Sequence, residues 1–257
     1  MDLGLKESVV IVTGGAQGIG RGIVQEFAAE GARVAIADVN EEKGTQTAAE
    51  ITAQGAEVLM VKTDVSSLEA TDHLVKTVLE RWGKVDVLVH GAAAFSIQRF
   101  LDTPVETWPK VINIVQYGAM NCTRSALPQM IERKKGRIIF IASDAGRIGD
   151  PYQPVYAAAK AAIIAFGKSI AQDAGRYAIT VNTVSPALTV TEENRAMLQQ
   201  VYGLGDPGKE KKLVAAYPLR KIGTTEDVAS LVVFLASGRA GHITGQTVSV
   251  NGGFCMV

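Results

Sequence analysis

The 257-residue sequence predicts an α/β fold, a single domain in which one doubly wound parallel sheet carries helices on both faces. Three observations predict it. Short apolar stretches alternate with longer amphipathic ones along the whole chain. The first apolar stretch, VVIV, runs directly into a glycine-rich turn and an apolar-faced helix. The stretches are also continuous rather than alternating, as parallel strands covered on both faces are. No repeat, low-complexity tract or composition break marks a linker, so residues 1–257 read as one unit.

The elements follow in order. Strands are expected near 8–12, 33–37, 57–62, 85–89, 137–142, 179–184 and 246–250. After the first, Gly14, Gln17, Gly18, Ile19 and Gly20 form a T-G-x-x-x-G-x-G turn whose helix presents Ile19, Ile23, Val24 and Phe27, with Gly31 at its carboxyl end. Glycines allow tight turning, and the free N–H groups at a helix start suit a pyrophosphate. The second strand, RVAIAD, ends in Asp38, whose carboxylate can accept hydrogen bonds from an adenosine ribose. Strand, glycines, helix, strand and acid in this order read as a Rossmann-type dinucleotide site rather than as a plain glycine-rich turn with a surface Asp. Asp38 would repel the additional phosphate of NADP, and its neighbours Gln17 and Val39 carry no charge, so NAD is the expected cofactor.

Helical patterns at 41–55, 66–83, 104–133 and 224–238 fill the gaps between strands. The apolar run IIFIA ends at Ser143, which places the Ser143 hydroxyl at the carboxyl end of its strand. Tyr156 and Lys160 follow on one helix, four residues apart and hence on one face. A phenol titrates near 10, and a fixed cation close by favours its phenolate, so the pair reads as a general acid/base. By itself the spacing also fits two unrelated residues on an Ala-rich helix. Residues 191–223 break the rhythm: they mix apolar Met197, Leu198, Tyr202 and Leu204 with a GLGDPG break, and read as a substrate lid.

Composition removes several classes of function. Lys plus Arg and Asp plus Glu both total 26, so no net field recruits nucleic acid or an anionic membrane. Cys122 and Cys255 are expected as reduced thiols, and the three His and two Cys have no metal-ligand spacing. No apolar run approaches the ~20 residues a bilayer crossing needs. The amino end enters a strand without a signal-peptide core. A cytoplasmic protein is expected.

The glycine spacing, Asp38, Ser143, Tyr156 and Lys160 together resemble the short-chain dehydrogenase/reductase family, from Lys6 to Gly253. The resemblance implies a seven-stranded parallel sheet and a catalytic group of Asn113, Ser143, Tyr156 and Lys160, with Asn113 helping to hold a water that links the Lys to solvent. It also implies that Asp64 and Val65 meet the adenine, that Pro186, Thr189 and Thr191 meet the nicotinamide end, and that Lys160 holds the nicotinamide ribose. Two departures stand out. His90-Gly91-Ala92-Ala93 replaces the usual N-N-A-G, which leaves His90 and Ala92 beside the cofactor with altered hydrogen bonding. Ala187 replaces a common Gly. The family further implies a homotetramer built on the helices that carry Tyr156 and Asn113.

The activity this implies is reversible oxidation of a secondary alcohol to a ketone, with hydride passing to NAD. Candidate substrate residues are Phe95 (with Ala94), Ser143, Asp144, Tyr152, Tyr156, Met197 and Tyr202, a set that suits a cyclic, aromatic or otherwise hydrophobic alcohol. Local likeness to bacterial secondary-alcohol dehydrogenases points the same way. An NADPH-dependent 3-oxoacyl-type reductase and a catalytically silent NAD-binding scaffold are the alternatives; Asp38 opposes the first, and the presence of Tyr156 and Lys160 the second.

Overall fold

The computed structural model describes residues 2–257. The chain begins with β1 (Val9–Thr13), α1 (Gly18–Ala29), β2 (Arg33–Asp38), α2 (Glu41–Thr52), β3 (Val58–Lys62), α3 (Leu68–Trp82) and β4 (Val87–His90). A helical arm follows as α4 (Trp108–Ile112), a π-turn (Asn113–Tyr117) and α5 (Gly118–Arg133). Next come β5 (Gly136–Ile141), the short α6 (Ala145–Ile148), α7 (Pro154–Ala174) and β6 (Ile179–Pro186). The chain then forms β7 (Thr189–Val190), α8 (Glu192–Tyr202), α9 (Pro207–Val214), β8 (Gly223–Thr224), α10 (Thr225–Ala236) and β9 (Thr247–Val250).

Seven strands form one parallel sheet in the order β3-β2-β1-β4-β5-β6-β9, while β7 and β8 pair separately. All seven strands expected from the sequence are present. The continuous apolar runs have a direct cause. In β1, Val9 and Ile11 pack into the core under α3, α5 and α7, whereas Val10 and Val12 pack into the core under α1, α2 and α10. Every residue of β1 is buried, so an alternating pattern would leave polar groups in one core.

Side-chain caps set several helix starts. Asn40 and Ser67 accept from the backbone at the starts of α2 and α3, and Thr191 with Asn194 and Thr224 with Asp227 form capping boxes on α8 and α10. Each cap is worth ~1 kcal/mol. The pattern at 104–133 is not one helix. Pro109 falls in the first turn of α4, where a proline is tolerated, and the π-turn then shifts the helical register before Gly118. Strands are added outward in one direction from β1 to β3 and in the other from β4 onward, so the carboxyl ends of β1 and β4 frame a crevice.

Candidate active site

The crevice begins with the glycine turn after β1. Gly14 has φ +69°, and a Cβ there would lie 2.9 Å from the backbone of Ala92. At Gly20 a Cβ would come 1.9 Å from the Gly14 carbonyl oxygen. Side chains are therefore excluded from the turn, and the start of α1 carries no side-chain cap. These bare N–H groups and the missing Cβ atoms fit a dinucleotide backbone. Asp38 stands at the end of β2 with its carboxylate fixed, one oxygen accepting from Ala16 N at 3.1 Å and the other from Asn40 N at 3.0 Å. A cation that local sequence does not reveal also reaches this end: Lys43 Nζ donates to Gln17 Oε1 at 2.8 Å. Arg21, next to the turn, pairs with Glu50 at 2.7 Å.

His90 lies under the crevice rather than in its wall. It is fully buried, and its Nδ1 is 3.0 Å from Thr13 Oγ1. That same hydroxyl oxygen accepts from Gly91 N at 3.2 Å and Ala92 N at 3.3 Å. With its lone pairs so engaged, the Thr13 hydroxyl donates to Nδ1, which leaves the ring proton on Nε2. Burial, helped by the field of Lys160, pushes the His90 pKa down to about 3 and keeps the ring neutral. The residue that replaces the family's Asn thus braces Thr13 and the 91–92 segment without titrating near neutrality. Ala187 adopts no left-handed backbone, so its methyl group adds no strain to its loop.

Ser143 follows β5, where its Oγ accepts from Ala145 N at 3.2 Å, and it is near enough to Tyr156 to favour the phenolate. Lys160, one turn further along α7, is 1% exposed and donates from Nζ to the Ile141 carbonyl. Burial pushes the Tyr156 phenol up to about 12, against a smaller opposing effect of Ser143, and pushes Lys160 down to about 7. The expected lowering of the phenol by the Lys160 cation is not among the influences on it: burial raises it, and Ser143 alone opposes. Ser143, Tyr156 and Lys160 come together. Asn113 does not: it is exposed at the start of the π-turn, whose Ile114 lines the crevice and whose Val115 is fully buried.

The crevice has a volume of about 1000 Å³. Gly14, Gln17, Gly18, Ile19, Gly20 and Asp38 line its adenosine and pyrophosphate end, with Asp64, Val65 and Ala92. Thr189 and Thr191 line it too, with Thr191 standing against Gly18 of the glycine turn, but Pro186 is buried in β6 and does not. At the reacting end Phe95 stands edge-on to Tyr156 at 5.9 Å between ring centroids, and Met197 and Tyr202 approach from α8. Sequence reading missed the opposite wall, where Tyr217 stacks on Phe254 at 5.1 Å.

Two substrate candidates are corrected. Asp144 borders the crevice, but its buried carboxylate is taken by Asn251 Nδ2 at 2.6 Å and Ser185 Oγ at 2.9 Å. Tyr152 is outside the lining and exposed, with the Arg99 guanidinium 5.0 Å from its ring. Cys122 and Cys255 are unpaired and buried, and burial pushes the Cys122 thiol up to about 12. Among the described residues, no group of three His, Cys, Asp or Glu is placed to hold a metal ion, and no helix is long and apolar enough to cross a membrane.

Comparison with known proteins agrees with this fold. The family model adh_short_C2, described as Enoyl-(Acyl carrier protein) reductase, matches residues 14–255. The 3-oxoacyl-[acyl-carrier-protein] reductase FabG of Staphylococcus aureus is 34% identical over 247 residues, covering 96% of this chain and 97% of the relative. An uncharacterized oxidoreductase of Thermotoga maritima is 36% identical over 251 residues, covering 97% and 96%. The crystal structure of gox2181 superposes with a TM-score of 0.91 at 33% identity and covers 98% of each chain.

Proposed function

The chain belongs to the short-chain dehydrogenase/reductase family of oxidoreductases, and on that premise we propose that it interconverts a secondary alcohol and its ketone with NAD(H), the carbinol bearing apolar or aromatic groups. The observation that carries this reading is the placement of Ser143 and Tyr156 at the aromatic end of a crevice whose other end holds the glycine turn and Asp38. A nicotinamide bound there supplies the hydride acceptor or donor.

The chain's own residues supply the rest. Ser143 and Tyr156 both line the reacting end of the crevice and would hold the substrate oxygen between their hydroxyl groups. In the reducing direction Tyr156, with its proton held by burial, donates that proton to the carbonyl oxygen. In the oxidising direction the Tyr156–Lys160 pair must first lose a proton. Lys160, already easy to deprotonate through burial, sets the pH at which that happens. Phe95, Met197, Tyr217 and Phe254 shed water from an apolar substrate and orient its faces. The Asp38 carboxylate accepts from the ribose hydroxyls and disfavours a phosphate there, while the Lys43 charge is engaged by Gln17.

A second reading, reduction of a 3-oxoacyl thioester with NADPH, is favoured by the names of several relatives. Asp38 at the ribose end opposes the additional phosphate of NADPH. A silent scaffold is opposed by the intact Ser143, Tyr156 and Lys160 cluster. Exposed Ala158 and Ala161 on α7 leave room for close helix contact in the homotetramer we propose, and a cytoplasmic location is part of the same reading. The test is a screen of secondary alcohols with NAD and NADP. Aromatic or cyclic alcohols should reduce NAD preferentially; turnover confined to 3-oxoacyl thioesters and NADPH would establish the second reading instead.

A further inference from the structure

The first turn of α8 is tied to the first turn of α1. Glu193 Oε2 lies 3.7 Å from the position a Cβ on Gly18 would take, and Glu193 Oε1 is 3.9 Å from Lys43 Nζ. Beside it, Glu192 is 3.5 Å from Arg21 Nη1. Lys43 is the same residue that donates to Gln17 in the glycine turn. The start of α1 has no acidic residue of its own in its first turn and no side-chain cap. The carboxylate standing over it is that of Glu193. The charged residues that line the crevice are Asp38, Asp64, Asp144, Asp150 and Glu193, all acidic.

We propose that Glu193 competes with the pyrophosphate of the cofactor for the glycine turn, and so determines cofactor affinity and couples cofactor entry to the position of α8. The proposal rests on the dinucleotide reading of the crevice. A carboxylate occupying the space beside Gly18 and a doubly charged pyrophosphate cannot share one helix start, because the like charges repel across a partly desolvated gap. Entry of the pyrophosphate drives Glu193 out and frees Lys43. The ion pairs that hold α8 down lie at the surface and are individually weak, so they yield to this repulsion. Met197 and Tyr202 are carried on the same helix and line the reacting end of the crevice, so the movement reaches the substrate pocket. Adenosine, which lacks the pyrophosphate, has no such conflict.

The test is equilibrium binding of NAD and of adenosine, at low ionic strength, to the full-length protein and to Glu193→Gln, with amide hydrogen exchange across 192–202. Glu193→Gln is near-isosteric, and a thermal melt establishes that it folds. The variant should bind NAD roughly three- to tenfold more tightly and adenosine unchanged. Its α8 amides should exchange faster without ligand, and NAD should raise α8 exchange in the parent protein. Weaker or unchanged NAD binding in Glu193→Gln would overturn the proposal and leave the dinucleotide reading intact. A parent protein that binds neither ligand would overturn both.

Discussion

Lys160 Nζ lies 5.5 Å from the centroid of the Tyr156 ring, and its hydrogen bond goes to the Ile141 carbonyl rather than to the phenol. The Lys160 Nζ therefore faces the ring of Tyr156 without bonding its hydroxyl. Both groups are removed from water, and for each of them burial penalises the charged form. This arrangement holds a proton on Tyr156 and weakens the hold of Lys160 on its own, which is the poise required for passing protons to and from a substrate oxygen.

Burying an amine costs stability, with a definite sign in pH. Free lysine titrates near 10.5 and Lys160 near 7, so between those values the unfolded chain binds a proton that the folded chain lacks. Stability therefore rises with pH across that window, and the deficit is complete below about 7. Lys160→Met should stabilise the fold at pH 6 by a few kcal/mol while abolishing turnover. Urea denaturation of both proteins at pH 6 and pH 9 checks it; equal stabilities at pH 6 would mean that Lys160 is better solvated than its burial implies.

His90 contributes in the acid range. Its folded pKa near 3 lies below the unfolded value of 6.5, so stability falls as pH drops through that interval, because only the unfolded chain takes up the proton. His90→Asn retains an acceptor for the Thr13 hydroxyl and has no such titration. Its thermal midpoint should decline less than that of the parent between pH 6.5 and 4, and parallel decline would remove His90 as the source.

Asp38→Ala should weaken NAD binding and relax discrimination against NADP, since it removes a ribose acceptor and a repulsive charge together. Lys43, hydrogen-bonded to Gln17 at that end of the crevice, is then available to the phosphate. Dissociation constants for both dinucleotides decide it; an unchanged preference would exclude Asp38 as the selector.

Phe95→Ala should raise KM for an aromatic alcohol without changing the dissociation constant of NAD, because Phe95 packs on Tyr156 and not on the glycine turn. Steady-state kinetics with cofactor titration separates the two. An equal loss in both would place Phe95 in the scaffold.

The sheet and the glycine turn were legible because their causes are local: every residue of β1 faces a core, and a Cβ cannot be accommodated at Gly14 or Gly20. Tyr156 and Lys160 were legible because helical spacing joins them. Asn113 was misread because its place on an amphipathic helix leaves the facing side open in sequence: it is exposed at the end of α4, while Ile114 lines the crevice. The role of Asp144 depends on Asn251, 107 residues away, and that of Lys43 on the fold of α2 against the glycine turn. Such pairings leave no mark in local sequence. Tyr217 and Phe254 meet only after the last strand is in place.

The central claim is that the Tyr156 hydroxyl exchanges the substrate proton. Tyr156→Phe keeps the ring, its packing on Phe95 and the whole dinucleotide end of the crevice. The decisive measurement is single-turnover hydride transfer on the best secondary alcohol, made alongside NAD binding to the same variant. NAD should bind as before and the rate should fall by ~10² to 10⁴. Near-normal hydride transfer by Tyr156→Phe would contradict it, even with the fold and the cofactor site as described.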